Sequence, residues 1–96
     1  MEKENGHNET DKIQIELMNM GTVNKNRIRL IKGYKQINLY FSYQTLVGVN
    51  NYTSVNDWST TTGKLLNQLE PNKKARLPHK EVLAKADELI KAVLFE

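Results

Sequence analysis

Residues 36–49, with the sequence QINLYFSYQTLVGV, constrain the fold more than any other part of the chain. Four large side chains recur at every second position, namely Ile37, Leu39, Phe41 and Tyr43. This period is typical of a β-strand with one face buried, and aromatic and β-branched residues favour strands. Because fourteen residues is long for one strand, we expect a bend or bulge near Gln44 or Gly48.

Three shorter segments complete the predicted sheet. Residues 12–19 alternate apolar and polar side chains, which predicts a half-buried strand. Residues 27–32 alternate in the same way until Gly33, and residues 52–55 return as a short strand after a turn at residues 50–51. The sequence therefore predicts a three- to four-stranded antiparallel sheet, with strands at about 12–19, 27–32, 36–49 and 52–55.

Two helices are predicted after the strands. The first covers about 60–70, with Ser59 as its N-cap and Pro71 ending it. Gly63 inside this helix costs about 1 kcal/mol relative to alanine, which suggests close packing there or a marginal helix. The second covers about 79–94 and has an apolar stripe at helical spacing. Strands followed by helices indicate an α+β fold with both helices packed on one face of the sheet.

The composition indicates a single domain preceded by a tail. Residues 1–11 have no apolar residue beyond Met1 and carry one lysine against four acids, so we expect a disordered acidic tail. Residues 12–96 then form one domain. The chain has no cysteine, no apolar signal region at its start and no apolar run long enough to cross a membrane. These features favour a cytoplasmic protein.

The sequence was compared with the motifs of a phosphate-binding loop, a metal site and a nucleophilic triad, and none of the three is complete. Thr62–Gly63–Lys64 resembles part of a phosphate-binding loop, but Trp58 stands where that loop needs a glycine, and Leu65 where it needs Ser or Thr. His7 and His79 have no metal-ligand spacing. A nucleophilic triad of Ser59, His79 and Asp57 has no support beyond composition. We therefore expect a non-enzymatic protein without a metal or cofactor.

The distribution of charge suggests an anionic partner. Residues 21–80 contain ten lysines and arginines but only Asp57 and Glu70 as acids. Cationic side chains on a strand can follow a phosphate backbone, and tyrosines can stack on bases. The predicted contacts with DNA or RNA are Arg27, Arg29, Lys32, Tyr34, Lys35, Tyr40, Lys64, Lys73, Lys74 and Arg76.

Two other interpretations of these residues remain open. The cations can simply form a solvated sheet face and loop that protect an exposed edge from aggregation. Alternatively, the chain is a protein-interaction module that binds a host protein or forms a homodimer. An exposed apolar patch or edge strand would distinguish that module from a nucleic-acid binder.

Residues 42–67 resemble a motif of small uncharacterised proteins from phages and some archaea. In those proteins a Ser-Tyr-x-Thr-x-Val strand leads through a hairpin to a helix start of the form Ser-x-Thr-Thr-x-Lys-His-x-Asn. The matching residues here are Ser42, Tyr43, Thr45, Val47, Trp58, Ser59, Thr61, Thr62, Lys64, Asn67 and Leu77–Pro78. Leu65 or Leu66 replaces the family's histidine, so no histidine-dependent role carries over. The resemblance implies a viral or mobile-element setting and no particular activity.

Overall fold

The computed structural model of the protein describes residues 12–95. The strands are β1 (Ile13–Asn19), β2 (Lys25–Lys32), β3 (Lys35–Ser42), β4 (Thr45–Val49) and β5 (Tyr52–Thr53), and they form one antiparallel sheet in chain order. Helix α1 (Thr60–Leu69), a 3₁₀ turn (Lys73–Ala75) and helix α2 (His79–Phe95) follow. The α+β fold class is confirmed, with one strand more than the maximum expected. The predicted disordered tail, residues 1–11, lies outside the described residues.

The long segment 36–49 divides into β3 and β4 at the position where a bend was expected. Tyr43 adopts a positive φ of 56° in the tight turn that separates the two strands. The pairing register also shifts between Tyr40 and Phe41, which lie opposite Gly48 and Leu46, so that Val47 is an extra residue in β4. This bulge twists the strand and re-aims its side chains. Tyr43 therefore lies in a turn rather than on the apolar face of a strand.

The other turns use residues that tolerate a left-handed backbone. Gly33 has φ 65° in the turn between β2 and β3, and Asn50 has φ 49° between β4 and β5. The Oδ1 atom of Asn50 also accepts a hydrogen bond of 2.9 Å from the backbone N–H of Asn38 on β3. The hairpin turn predicted at residues 50–51 is confirmed, and β2 ends before Gly33 as expected.

The main core lies between the sheet and α2. The sheet contributes Ile37 and Leu39 from β3 and Val49 from β4, and the helix contributes Val82, Ala86 and Val93. Each of these side chains is buried, and burial of an aliphatic side chain of this size contributes about 1.5–3 kcal/mol. In residues 12–95, neither helix has the length and hydrophobicity needed to cross a membrane.

Helix α1 packs on the opposite face of the sheet. Leu65 and Leu66 form a second buried cluster with Val47. The side chain of Leu69 lies 3.2 Å from the position that a Cβ atom on Gly48 would occupy. Gly48 and Val49 are adjacent on one strand and so face opposite sides of the sheet. Because Val49 belongs to the core under α2, the two helices enclose β4 from both sides.

The prediction that both helices pack on one face is therefore wrong. The outer face of β3 and β4 offers small residues, Ser42 and Gly48, which let α1 approach closely. In the sequence, Ser42 and Gly48 do not stand out as positions that pack against a helix. The bulge also turns the apolar side chain of Val47 toward α1, which simple alternation along the strand would not predict.

The hydroxyl pair of Ser42 and Thr62 joins α1 to β3. Their oxygens are 2.8 Å apart, and both side chains are buried. Ser42→Ala leaves the Thr62 hydroxyl without its main partner, so we expect a loss of about 1–2 kcal/mol in the free energy of unfolding. The double variant Ser42→Ala with Thr62→Val removes both polar groups and should be less destabilised than the sum of the single variants. Urea denaturation measures this coupling, and simple additivity would contradict it.

Candidate functional site

Strand β1 is the most exposed apolar element that the structure describes. All seven of its residues are exposed to solvent. Ile13, Ile15 and Leu17 retain 51%, 69% and 70% of their accessible surface. Residues of such hydrophobicity rarely form a contiguous exposed row on a monomeric protein unless the row has a binding role.

The three exposed side chains lie on the same face of the sheet as the main core. Ile15 pairs with Leu30 and Leu17 pairs with Ile28, and both β2 partners pack against that core. Directly opposed residues on antiparallel strands share a face. Helix α2 packs mainly on β3 and β4, so the apolar face continues beyond the helix to the edge of the sheet. The prediction that residues 12–19 are half-buried is wrong, because no layer of the described chain covers them.

The two edges of the sheet differ. At the β5 edge, the backbone of Leu77 donates to the carbonyl of Thr53 at 2.8 Å and accepts from the N–H of Val55 at 2.8 Å. This short parallel bridge covers the edge. Within residues 12–95, no strand pairs with the outer side of β1. The outer N–H and C=O groups of β1 are therefore available to another strand.

Two of the predicted nucleic-acid contacts, Arg27 and Arg29, lie together on the sheet face opposite α2. Arg29 donates from Nε to Oδ1 of Asn38 at 3.1 Å, and its Nη1 lies 3.4 Å from Oε1 of Glu16. The Nε atom of Arg27 is buried and has no hydrogen-bond partner among the described residues. Tyr40 shares this face but is half-buried beside Gly48, under the end of α1.

Lys32 and Lys35 lie on the other face and hold the end of α2. Lys32 Nζ donates to the carbonyl of Leu94 at 2.7 Å, and Lys35 Nζ donates to the carbonyl of Ala92 at 3.2 Å. The last carbonyls of a helix lack intrahelical partners and carry partial negative charge, which favours cations there. These lysines therefore stabilise the fold, whatever else they contact.

The remaining predicted contacts are spread over the surface and the interior. Tyr34 is 93% exposed in the β2–β3 turn, and Lys64, Lys73 and Lys74 are exposed on α1 and the 3₁₀ turn. Arg76 is buried and donates from Nε to the carbonyl of Glu70 and from Nη2 to Oδ1 of Asn67. The ten residues thus occupy several separate places and do not share one face.

A cleft lies beside α1. This cleft has a volume of about 390 Å³ and is lined by Val55, Asn56, Gly63, Asn67, Lys73 and Arg76. The two cations and Gly63 were noted from the sequence, Asn67 was noted only as a match to the phage and archaeal motif, and Asn56 was not anticipated. The glycine was the available signal, because a Cβ at Gly63 would come within 2.9 Å of Asn56 Nδ2. The close packing suggested by a glycine inside a helix is confirmed.

His79 contacts two neighbouring parts of the fold, Leu46 and Trp58. Its Nε2 lies 2.9 Å from the carbonyl oxygen of Leu46, and its ring meets Trp58 edge-on with centroids 4.8 Å apart. Ser59 caps α1 by accepting a 3.2 Å hydrogen bond from the N–H of Thr62, as predicted. Residues 12–95 contain no cluster of three His, Cys, Asp or Glu side chains suited to a metal ion.

Comparison with known proteins assigns the chain to a family. Residues 4–85 match the model of DUF8033, a family of unknown function, and the protein belongs to that family. Neither the search of curated proteins nor the search of solved structures found a match. The family description specifies no ligand or partner, so a proposal for the function has to come from the geometry of β1 and the cationic residues.

The contact between Lys32 and the end of α2 can be tested by stability. Lys32→Gln weakens a charge-assisted bond to a terminal helix carbonyl, so we expect a loss of about 0.5–2 kcal/mol in the free energy of unfolding. Lys64→Gln is the matched control, since Lys64 is exposed on α1 and its loss should change stability by less than about 0.5 kcal/mol. Equal effects of the two variants in chemical denaturation would contradict the structural role of Lys32.

Proposed function

We propose that the protein is a small, non-enzymatic interaction module that pairs with a second copy of itself along β1. The observation that carries this proposal is the exposure of the whole strand, with Ile13, Ile15 and Leu17 in one apolar row at a sheet edge that no strand within residues 12–95 pairs with. Addition of a strand satisfies the edge hydrogen bonds, and apolar side chains beside the edge supply the hydrophobic contribution.

Strand β1 lacks the usual protection of an edge. Natural edge strands commonly carry prolines, bulges or several charges that discourage pairing. Strand β1 has no proline, its pairing with β2 is regular over all seven residues, and Glu16 is its only charged residue. A second chain is therefore able to dock against it without having to bury several charges.

A symmetric dimer restricts the register of pairing. In an antiparallel pair related by a two-fold axis, directly opposed residues share a face, so the axis passes through one residue of β1. An axis at Ile15 places Ile13 opposite Leu17 and Gln14 opposite Glu16. An axis at Glu16 would place two carboxylates directly opposite each other, which is destabilising. Of the seven residues of β1, only Ile15 as the axis sets each of the three exposed apolar side chains opposite one of the same three, so we assign the axis to Ile15.

This register joins the sheets of the two copies edge to edge. Each copy contributes the five strands of residues 12–95, so the dimer joins ten described strands in one sheet. The three exposed side chains of one copy then lie against those of the other on the side of the sheet that carries α2. The interface is formed by one strand from each copy and is small, so the dimer should dissociate on dilution.

Replacing the central residue should disrupt the dimer without unfolding the domain. Ile15→Lys places two like charges at the axis, while its exposed position means that folding loses little. We expect the wild-type protein to reach the mass of a dimer in sedimentation equilibrium as concentration rises, and Ile15→Lys to stay monomeric. Val23→Lys is the matched control, since Val23 is 84% exposed in a turn outside β1 and should leave the dimer intact.

Cysteine cross-linking tests the register independently. Because the chain contains no cysteine, any disulfide must come from an introduced residue. Ile15→Cys places two thiols opposite each other within the range that a disulfide spans, so it should cross-link on mild oxidation. Glu16→Cys should not cross-link efficiently, because its opposite residue is Gln14. Preferential cross-linking at Glu16→Cys would reject the register, and a strictly monomeric wild-type protein would reject the dimer.

Contact with nucleic acid is a second candidate, supported by a different face. Arg27 is half-buried and lies beside Arg29 on a sheet face that α1 covers only at its β3–β4 end. The other predicted contacts can extend this surface only where the fold leaves them exposed. Such a face can contact phosphates of single-stranded DNA or RNA.

A gel shift at about 50 mM salt tests this second candidate, because phosphate contacts weaken steeply with salt. We expect Arg27→Gln to weaken binding of a mixed-sequence single strand by roughly fivefold or more, as expected for the loss of a charged contact. Lys80→Gln on α2 serves as the control and should bind like the wild type. Absence of binding at this salt, or equal losses in the two variants, would reject nucleic-acid contact at this face.

The proposal also includes a cellular location and an origin for the protein. Absence of cysteine supports a cytoplasmic location. Resemblance to small phage and archaeal proteins supports a viral or mobile-element origin. The alternative to self-pairing is a host protein that adds its own strand to β1. A monomeric wild-type protein would favour this alternative.

A further inference from the structure

The cleft beside α1 is a separate site, on the sheet face opposite α2 and formed by elements other than β1. One wall is formed by Gly63 and Asn67, which lie one turn apart on α1. Val55 and Asn56 form a second wall, and Lys73 and Arg76 a third. The volume of about 390 Å³ is at the lower end of the range of small-molecule pockets.

The polar groups in the cleft are oriented to donate hydrogen bonds. Oδ1 of Asn67 accepts from Nη2 of Arg76 at 2.7 Å, which leaves the Nδ2 group of Asn67 as the donor end. A guanidinium carries five N–H groups, and two of those on Arg76 make the bonds to Glu70 and Asn67. Arg76 also lines the cleft, so its guanidinium borders the space that a ligand would occupy. Arg76 is only 8% exposed, so its position is fixed by packing.

The charge of the cleft is positive. Lys73 and Arg76 line it, and none of the six lining residues is acidic. The carboxylate of Glu70 is engaged nearby, where Oε2 accepts from the backbone N–H of Asn72 at 3.1 Å. A fixed guanidinium with a flexible lysine beside it matches the geometry and charge of a phosphate group.

We propose that this cleft binds a phosphate monoester of a small hydroxylated molecule, of the sugar phosphate class. Lys73 and Arg76 contact the phosphate, and the Nδ2 group of Asn67 faces the hydroxyl groups. Asn56 forms a wall of the cleft and is held in place by hydrogen bonds with the backbone of Trp58 and Ser59. Among the described residues that line the cleft none is aromatic, so they offer no surface on which a nucleobase would stack.

Nuclear magnetic resonance of the full-length protein tests this site directly. Inorganic phosphate, ribose 5-phosphate and uncharged ribose serve as probes, and the backbone amide of Gly63 and the side-chain amide of Asn67 report on the cleft. We expect ribose 5-phosphate to shift both signals saturably in the range of about 1–10 mM or below. Inorganic phosphate should bind more weakly, and ribose should cause no shift at the same concentrations.

Two neighbouring lysines provide a matched pair of variants. Lys73 lines the cleft and Lys74 does not, although both are exposed on the same 3₁₀ turn. Lys73→Gln should weaken binding of ribose 5-phosphate by roughly tenfold, the expected effect of losing one charged contact. Lys74→Gln should change it by less than about twofold, since only a screened longer-range charge is lost. Because both side chains are exposed, neither change should unfold the protein.

Several outcomes would overturn the proposal. One is the absence of a saturable shift at Gly63 and Asn67 with ribose 5-phosphate, and another is an equal loss of binding in Lys73→Gln and Lys74→Gln. A third arm uses a short single-stranded oligonucleotide. If only the oligonucleotide shifts these signals, and does so in a manner that depends on Lys73, the cleft takes a phosphodiester backbone and the sugar phosphate assignment is wrong.

Discussion

Both helices pack on the same two strands from opposite faces, and the rest of the structure depends on this double burial. Strand β4 is buried against α2 through Val49 and against α1 through Val47 and Gly48. The two helices of residues 12–95 can cover only part of the five described strands in this way. Strand β1 lies three strands away from β4, and nothing in residues 12–95 covers its faces or pairs with its outer edge.

The sequence predicted the elements well, because each has a local physical signature. Alternation defined the strands, Ser59 and Pro71 delimited α1, and the turns at Gly33 and Asn50 needed residues that tolerate positive φ. The packing of the helices on the two faces of the sheet was harder to predict from the sequence. Alternation at Ile13, Ile15 and Leu17 shows which face of a strand is apolar, but it does not show whether the chain supplies anything to cover that face.

The candidate sites were only partly visible in the sequence, because charge along a chain does not specify position in space. Lys32 and Lys35 turned out to hold the end of α2, and Arg76 to tie the end of α1 to the loop that follows. The cleft could not be predicted either, since Asn56 and Asn67 come together only through the path of the chain around α1. Gly63 gave the one local indication that another segment approaches the helix there.

We propose that a second copy of β1 completes the edge of the sheet. Amide hydrogen exchange of residues 13–19, measured over a range of protein concentrations, tests it most directly. In an edge strand, alternate N–H groups point away from the sheet and exchange freely unless another strand pairs with them. If β1 pairs with a second copy, the outward-pointing set becomes protected as concentration rises, while the inward set is protected throughout. Rapid exchange of the outward set at every concentration would contradict it.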